Sequence, residues 1–179
     1  MSKHKVFISY HHGNDKAYKE EFEEFYCAFL DSCISRSVGS GDIDDNLSDE
    51  EVREIIRDEY LKNSTVTVVL VGKETYKRKH VDWEIYSSLY DGIQNKRSGL
   101  IGVLLPTYPD LEDNKYNSTT IPPRLYDNIQ TKYAKIYKWD DFVLNCEDYI
   151  DEAYKRKNNY SYKTDLSRPR FKQNRSGNR

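Results

Sequence analysis

The sequence predicts a doubly wound α/β fold of the flavodoxin-like kind: a mainly parallel, five-stranded sheet with helices on both faces. Three observations predict it. Residues 65–72 and 100–105 are rich in Val, Thr, Leu and Ile with almost no polar alternation, which suits strands covered on both sides. Amphipathic helical patterns separate the apolar runs, and strands alternating with helices imply right-handed crossovers onto a parallel sheet. A length of 179 residues is that of one domain with at most an appendage.

Val6, Phe7, Ile8, Ser9 and Tyr10 form a short β-branched and aromatic run ended by His11, His12, Gly13, Asn14 and Asp15, a strand followed by a turn. A helix follows, because Tyr18, Phe22, Phe25, Tyr26, Phe29 and Leu30 recur at three- and four-residue steps with Lys19, Glu20, Glu21, Glu23 and Glu24 on the other face. Residues 34–38 are a weaker strand before a polar loop that opens at Gly39. Ser48 with Glu51 makes a capping box ahead of Val52, Ile55, Ile56 and Tyr60, so a second helix starts at about Ser48. Trp83, Ile85, Tyr86, Leu89 and Ile93 mark a third helix, between the two buried strands. After a long polar loop over 107–122, Pro122 and Pro123 start a short helix through Ile129. Residues 133–139 form the last strand, and Phe142, Cys146, Tyr149, Ile150 and Ala153 the last helix.

The 37% of hydrophobic residues includes sixteen tyrosines, so tyrosine must supply much of the packing. Charged residues are 32%, and the mean hydropathy is −0.91. The longest apolar run, 100–105, is far short of the roughly 20 residues that span a bilayer, so neither a membrane partner nor a signal peptide is expected. Cys27, Cys33 and Cys146 form no C-x-x-C pair, and an odd count without a secretion signal points to a reducing, cytoplasmic location. Residues 154–179 carry a net charge of +8 against −10 for residues 1–153, which divides the chain into an acidic body and a basic C-terminal tail. Arg168, Arg170, Lys172, Arg175 and Arg179 with Tyr160, Tyr162 and Phe171 are residue types that contact nucleic acid. An acidic body repels a duplex, however, so the tail is expected to be solvated or folded back, without a nucleic-acid partner.

Most catalytic signatures are missing: there is no phosphate-binding G-x-x-x-x-G-K-[ST], no G-x-G-x-x-G after the first strand, no G-x-S-x-G and no H-E-x-x-H. His11, His12 and Asp15 are not expected to hold a metal, since adjacent histidines point to opposite sides of an extended chain. Cys27 lies on an apolar helix face and reads as core rather than nucleophile. In the flavodoxin-like strand order the binding crevice lies beyond the carboxyl ends of the first and third strands. Glu84 falls there, at a helix start opposite Ser9, Tyr10 and His11; on position alone it is either a site carboxylate or a first-turn glutamate complementing the helix dipole.

Lys5, Val6, Phe7, Ile8, Ser9 and Tyr10 resemble the opening strand of TIR domains. His80, Val81, Asp82, Trp83, Glu84 and Ile85 resemble the glutamate-bearing segment of their bacterial branch, and Val103-Leu104-Leu105-Pro106 is similar to that branch's fourth strand. Where many relatives carry Ser-x-Trp ahead of the glutamate, this chain has Arg78, Lys79 and His80. The resemblance covers about residues 4–153 and is nearest to the stand-alone TIR proteins of Thoeris antiphage defence. It implies cleavage of the nicotinamide–ribose bond of NAD+, with Glu84 as the catalytic carboxylate and NAD+ as substrate rather than cofactor. Phe7, Ser9, Tyr10, His11 and Trp83 are assigned to the substrate site, Trp83 either as a contact or as a packing support for it. A single carboxylate suffices because nicotinamide departs neutral and needs no general acid, unlike a sugar leaving group. By the same resemblance the product is a cyclic ADP-ribose isomer that reaches a partner effector by diffusion, and self-association is a further expectation. The alternative is a non-enzymatic TIR adaptor that works by protein–protein association, in which Glu84 is dispensable.

Overall fold

The computed structural model describes all residues except 1–3, 28–32, 35–36, 40, 94–95, 111–114 and 177–179. Its sheet has the order β2-β1-β3-β4-β5, from β1 (Val6–Ser9), β2 (Cys33–Ile34), β3 (Val66–Val71), β4 (Gly99–Leu104) and β5 (Ala134–Lys138), and every pairing is parallel. Four of these are strands of four to six residues. The expected five-strand count is corrected in one respect: β2 is a two-residue stub, pairing Cys33 with Val6 and Ile34 with Phe7. Of the rest of the strand expected over 34–38, residues 37 and 38 are not in a strand, and residues 35–36 lie outside the described set.

Every residue of β1, β3 and β4 is buried, which is why their sequences lack polar alternation. β5 is the edge: only Ala134 is buried, and Lys135 and Lys138 place charge where an unpaired edge would otherwise recruit another strand. One face packs Val6, Ile8, Val68, Leu70, Ile101 and Val103 against α1 (Lys16–Phe22) and α5 (Trp139–Asn158), through Phe22, Phe142, Ile150 and Ala153. A methyl group on Gly99 would overlap the Ala153 carbonyl, so glycine lets α5 lie against β4. The other face packs Val69, Val71, Leu100 and Leu104 against α3 (Lys79–Leu89) and α4 (Pro123–Gln130). On the same side α2 (Asp49–Ile55) contributes Val52 to a cluster with Phe7, Val38, Ile56, Tyr60 and Trp83.

α1 continues as a π turn over Glu23–Cys27, and the predicted extension through Phe29 and Leu30 lies outside the described residues, as does the Cys27 side chain. The capping box is present in full: the Ser48 hydroxyl accepts from Glu51 N, and the Glu51 carboxylate accepts from Ser48 N at 2.8 Å. Ser48→Ala is expected to cost about 1 kcal/mol of stability, read as a lower urea midpoint at unchanged slope. α5 is kinked at Asn145 (φ −124°, ψ 21°), whose side-chain amide donates back to Asp141 O at 3.1 Å and so competes with the helix ladder. Tyrosine does supply packing: Tyr137 stacks on Tyr149 with ring centres 3.8 Å apart, and buried Tyr133 donates to Ser98 O at 2.6 Å.

α5 runs to Asn158, five residues past the end of the body read from the sequence. The chain then folds back over the body: Arg168 forks onto Asp127 at 2.7 and 2.9 Å, and Arg170 donates to Asp49 at 2.8 Å. Basic side chains of the tail are thus set against acidic ones of the body. Among the described residues no helix is long and apolar enough to cross a membrane.

Candidate active site

The β2-β1-β3 order places the switch of direction between β1 and β3. A cleft of about 220 Å³ lies beyond their carboxyl ends. The loop after β1 lines it with Tyr10, His11, His12 and Gly13, the start of α3 with Arg78 and His80, and the facing loop with Val38. Asn174, from the C-terminal segment, completes the wall.

Glu84 lies directly behind that wall. Only 1% exposed, it accepts from the Ser9 hydroxyl at 2.6 Å and from the Val38 amide at 2.7 Å, one donor on each carboxylate oxygen. Burial raises its carboxyl to about 8, against the two hydrogen bonds that oppose the shift. At neutral pH the resting group holds its proton. Val38 both lines the cleft and bonds Glu84, so the carboxyl sits one residue behind the surface a ligand would meet.

A second carboxyl closes the switch point from the other side. Asp15 is fully buried; it accepts from Thr75 Oγ1 at 3.1 Å, and Thr75 Oγ1 accepts from Gly72 N at 2.8 Å. Burial pushes Asp15 up to about 6. Any side chain on Gly72 would collide with the Asp15 carboxyl, so glycine is needed where β3 ends against the β1 loop. Burial also lowers the histidines of the cleft, His80 to about 4 and His11 and His12 in the same direction. They are neutral at pH 7, and Arg78, held by Glu74 at 3.2 Å, carries the positive charge of the wall.

Of the residues predicted from sequence, Glu84 and Ser9 are brought into direct contact, and Tyr10 and His11 line the cleft beside them. Phe7 does not line it: two residues down the strand from Ser9, it is fully buried with Val38 and Trp83. Trp83 also faces away from the cleft, its indole donating to Phe171 O at 2.8 Å beneath the Arg170 guanidinium, 4.5 Å from the ring. Trp83, assigned to the substrate site from the sequence, is thus no part of the cleft's lining and packs against the C-terminal segment instead. Val38, Arg78, His80 and Asn174 were not foreseen. Arg78 and His80 adjoin Glu84 in sequence, a signal that was available, whereas a backbone amide and a residue 90 positions away leave none. Among the described residues no group of three or more His, Cys, Asp and Glu is placed to hold a metal. A larger cavity of about 330 Å³ between the end of α1 and α5 is lined by Phe22, Phe25, Tyr26 and Trp139 and lies away from the switch point.

A family model described as the TIR-like domain of the Thoeris protein ThsB matches residues 7–110, which run from β1 past the end of β4 and include Ser9, Tyr10, His11, Trp83 and Glu84. No curated protein and no solved structure gives a significant match.

Proposed function

As the chain belongs to the TIR-like domain family of the Thoeris protein ThsB, we propose that it cleaves the nicotinamide–ribose bond of NAD+ and releases a cyclic ADP-ribose isomer as a diffusible signal to an effector in antiphage defence. The observation that supports this most is Glu84, a buried carboxyl at the switch point held between the Ser9 hydroxyl and the Val38 amide. The C1′–N bond breaks with both electrons passing to the pyridinium ring, which leaves as neutral nicotinamide. The ionised Glu84 carboxylate holds the ribose hydroxyls and stabilises the positive charge that develops at C1′, in a water-poor site where such an interaction is strong. The ribosyl cation is captured by an adenine nitrogen or a ribose hydroxyl of the same molecule. Where a hydroxyl attacks, its proton passes to Glu84. Exclusion of water favours this closure over hydrolysis to ADP-ribose.

The resting geometry fits an enzyme that stays silent until triggered. The cleft, at about 220 Å³, is smaller than the roughly 300–1,000 Å³ of ordinary ligand pockets, and reaching Glu84 requires Val38 to yield its bond. The same closure favours a second reading, the adaptor, in which a fully satisfied Glu84 only holds the 37–39 segment against α3. Wild type and Glu84→Gln expressed in cells and challenged with phage separate the two, with NAD+ and its products followed by mass spectrometry. A cyclic species made by wild type alone supports the enzyme. Equal protection by both chains with NAD+ unchanged overturns it.

A further inference from the structure

The C-terminal segment lies outside the residues matched by the family model and yet reaches the cleft through Asn174. It is anchored along the start of α3. Buried Arg124 donates to the carbonyls of Arg168 and Pro169 at 2.9 and 3.2 Å. Phe171 N donates to Asp82 at 2.9 Å while its carbonyl accepts from Trp83, so the two residues before Glu84 are both tied to this strap. Arg175 N then donates to Lys77 O at 2.9 Å.

Between these anchors lies Asn174. α3 begins without a cap of its own, since Arg78 at the N-cap position makes no side-chain bond to the first turn. An uncapped start leaves amide donors unpaired and frays. Here Asn174 Oδ1 accepts from Lys79 N at 3.0 Å, pairing from 95 residues away one of the first-turn amides that have no partner within the helix. The same side chain lines the cleft.

We propose that the strap is a working wall of the site and that Asn174 is a positioning residue, capping in trans the helix that carries Glu84; its effect on turnover rests on the NAD+ reading above. The geometry makes the cap separable from bulk stability, because Asn174 is exposed and the strap's main anchors, Arg170, Phe171 and Arg124, lie elsewhere.

The test uses the full chain with Asn174→Ala and Asn174→Asp. Hydrogen exchange of the segment 77–84, measured without substrate, is expected to speed up about fivefold to tenfold in Asn174→Ala, the weight of one cap, and to stay at the wild-type rate in Asn174→Asp, which keeps the acceptor. In turnover of NAD+, Asn174→Ala is expected to lower kcat by a similar factor with KM little changed. Asn174→Asp should keep kcat but raise KM, because a carboxylate then faces the anionic dinucleotide. Unchanged exchange in Asn174→Ala overturns the proposal whatever the activity. Loss of kcat in both variants with exchange altered only in Asn174→Ala also overturns it, since the cap would then not be what governs turnover. If the wild type itself cleaves no NAD+, the proposed function fails, and the exchange data alone still decide the capping role.

Discussion

Glu84→Gln is expected to abolish NAD+ cleavage and, at pH 8, to make the folded chain more stable than wild type. The loss of activity should be at least about a thousandfold, the scale on which a preorganised charge at the reacting centre matters. The gain in stability follows from linkage. Folded Glu84 keeps its proton up to about 8, whereas an unfolded glutamate releases it near 4.5. Between those values the folded chain binds the extra proton, so the stability of the wild type falls as pH rises and the deficit is complete near pH 8. Glutamine does not titrate. The variant's advantage should therefore be absent near pH 4 and grow to several kcal/mol, on the order of 3–5, by pH 8. Urea melts of both chains at pH 5 and 8 measure it, and a difference that does not change with pH would show that Glu84 is not held protonated. The same group predicts that kcat/KM of the wild type rises with pH towards about 8, because the free enzyme must ionise Glu84 before the carboxylate can act.

Arg124→Met should be the most damaging single change to the fold. Arg124 and Asp82 are 0% and 3% exposed at their side chains and joined by bonds of 2.8 and 3.2 Å. Removing the guanidinium strands a buried carboxylate, at a cost of about 3–5 kcal/mol, or about 10 °C in Tm for a chain of this size. The strap carbonyls of Arg168 and Pro169 lose their donor as well. The double variant Arg124→Met with Asp82→Asn should recover much of the loss, since the cost lies in the uncompensated charge rather than in the pair. A single variant that melts within 1 °C of wild type would show that water reaches Asp82 freely.

Much of this architecture was legible. The unalternated runs of β3 and β4 announce strands with both faces covered. Ser48 and Glu51 announce a helix start within one residue. The alternation of strands and helices leads to the strand order, and the strand order leads to the crevice where Glu84 meets Ser9. The misreadings share a cause. Phe7 and Ser9 lie on one face of β1, as period two requires, but Phe7 is about 7 Å further from the carboxyl end, under α3 rather than in the cleft. Ile93 continues the apolar pattern of α3, yet the helix stops at Leu89 and Ile93 is 96% exposed. A periodicity records which residues share a face; it carries no measure of how far along the element a neighbour extends.

By itself, then, the sequence determined the layers and the parallel sheet, because these are written in local periodicity, and a resemblance carried by a short contiguous motif singled out Glu84. Only the tertiary structure decided what surrounds Glu84. Val38 contributes a backbone amide, which every residue but proline has and which no sequence marks. Asn174, Arg124 and Phe171 act across separations of 95, 42 and 89 residues, where the chain between sets the geometry. The tail's charge likewise left it either solvated or folded back on the acidic body, while bonds to Trp83 and Asp82 chose the place: beside the helix that carries Glu84.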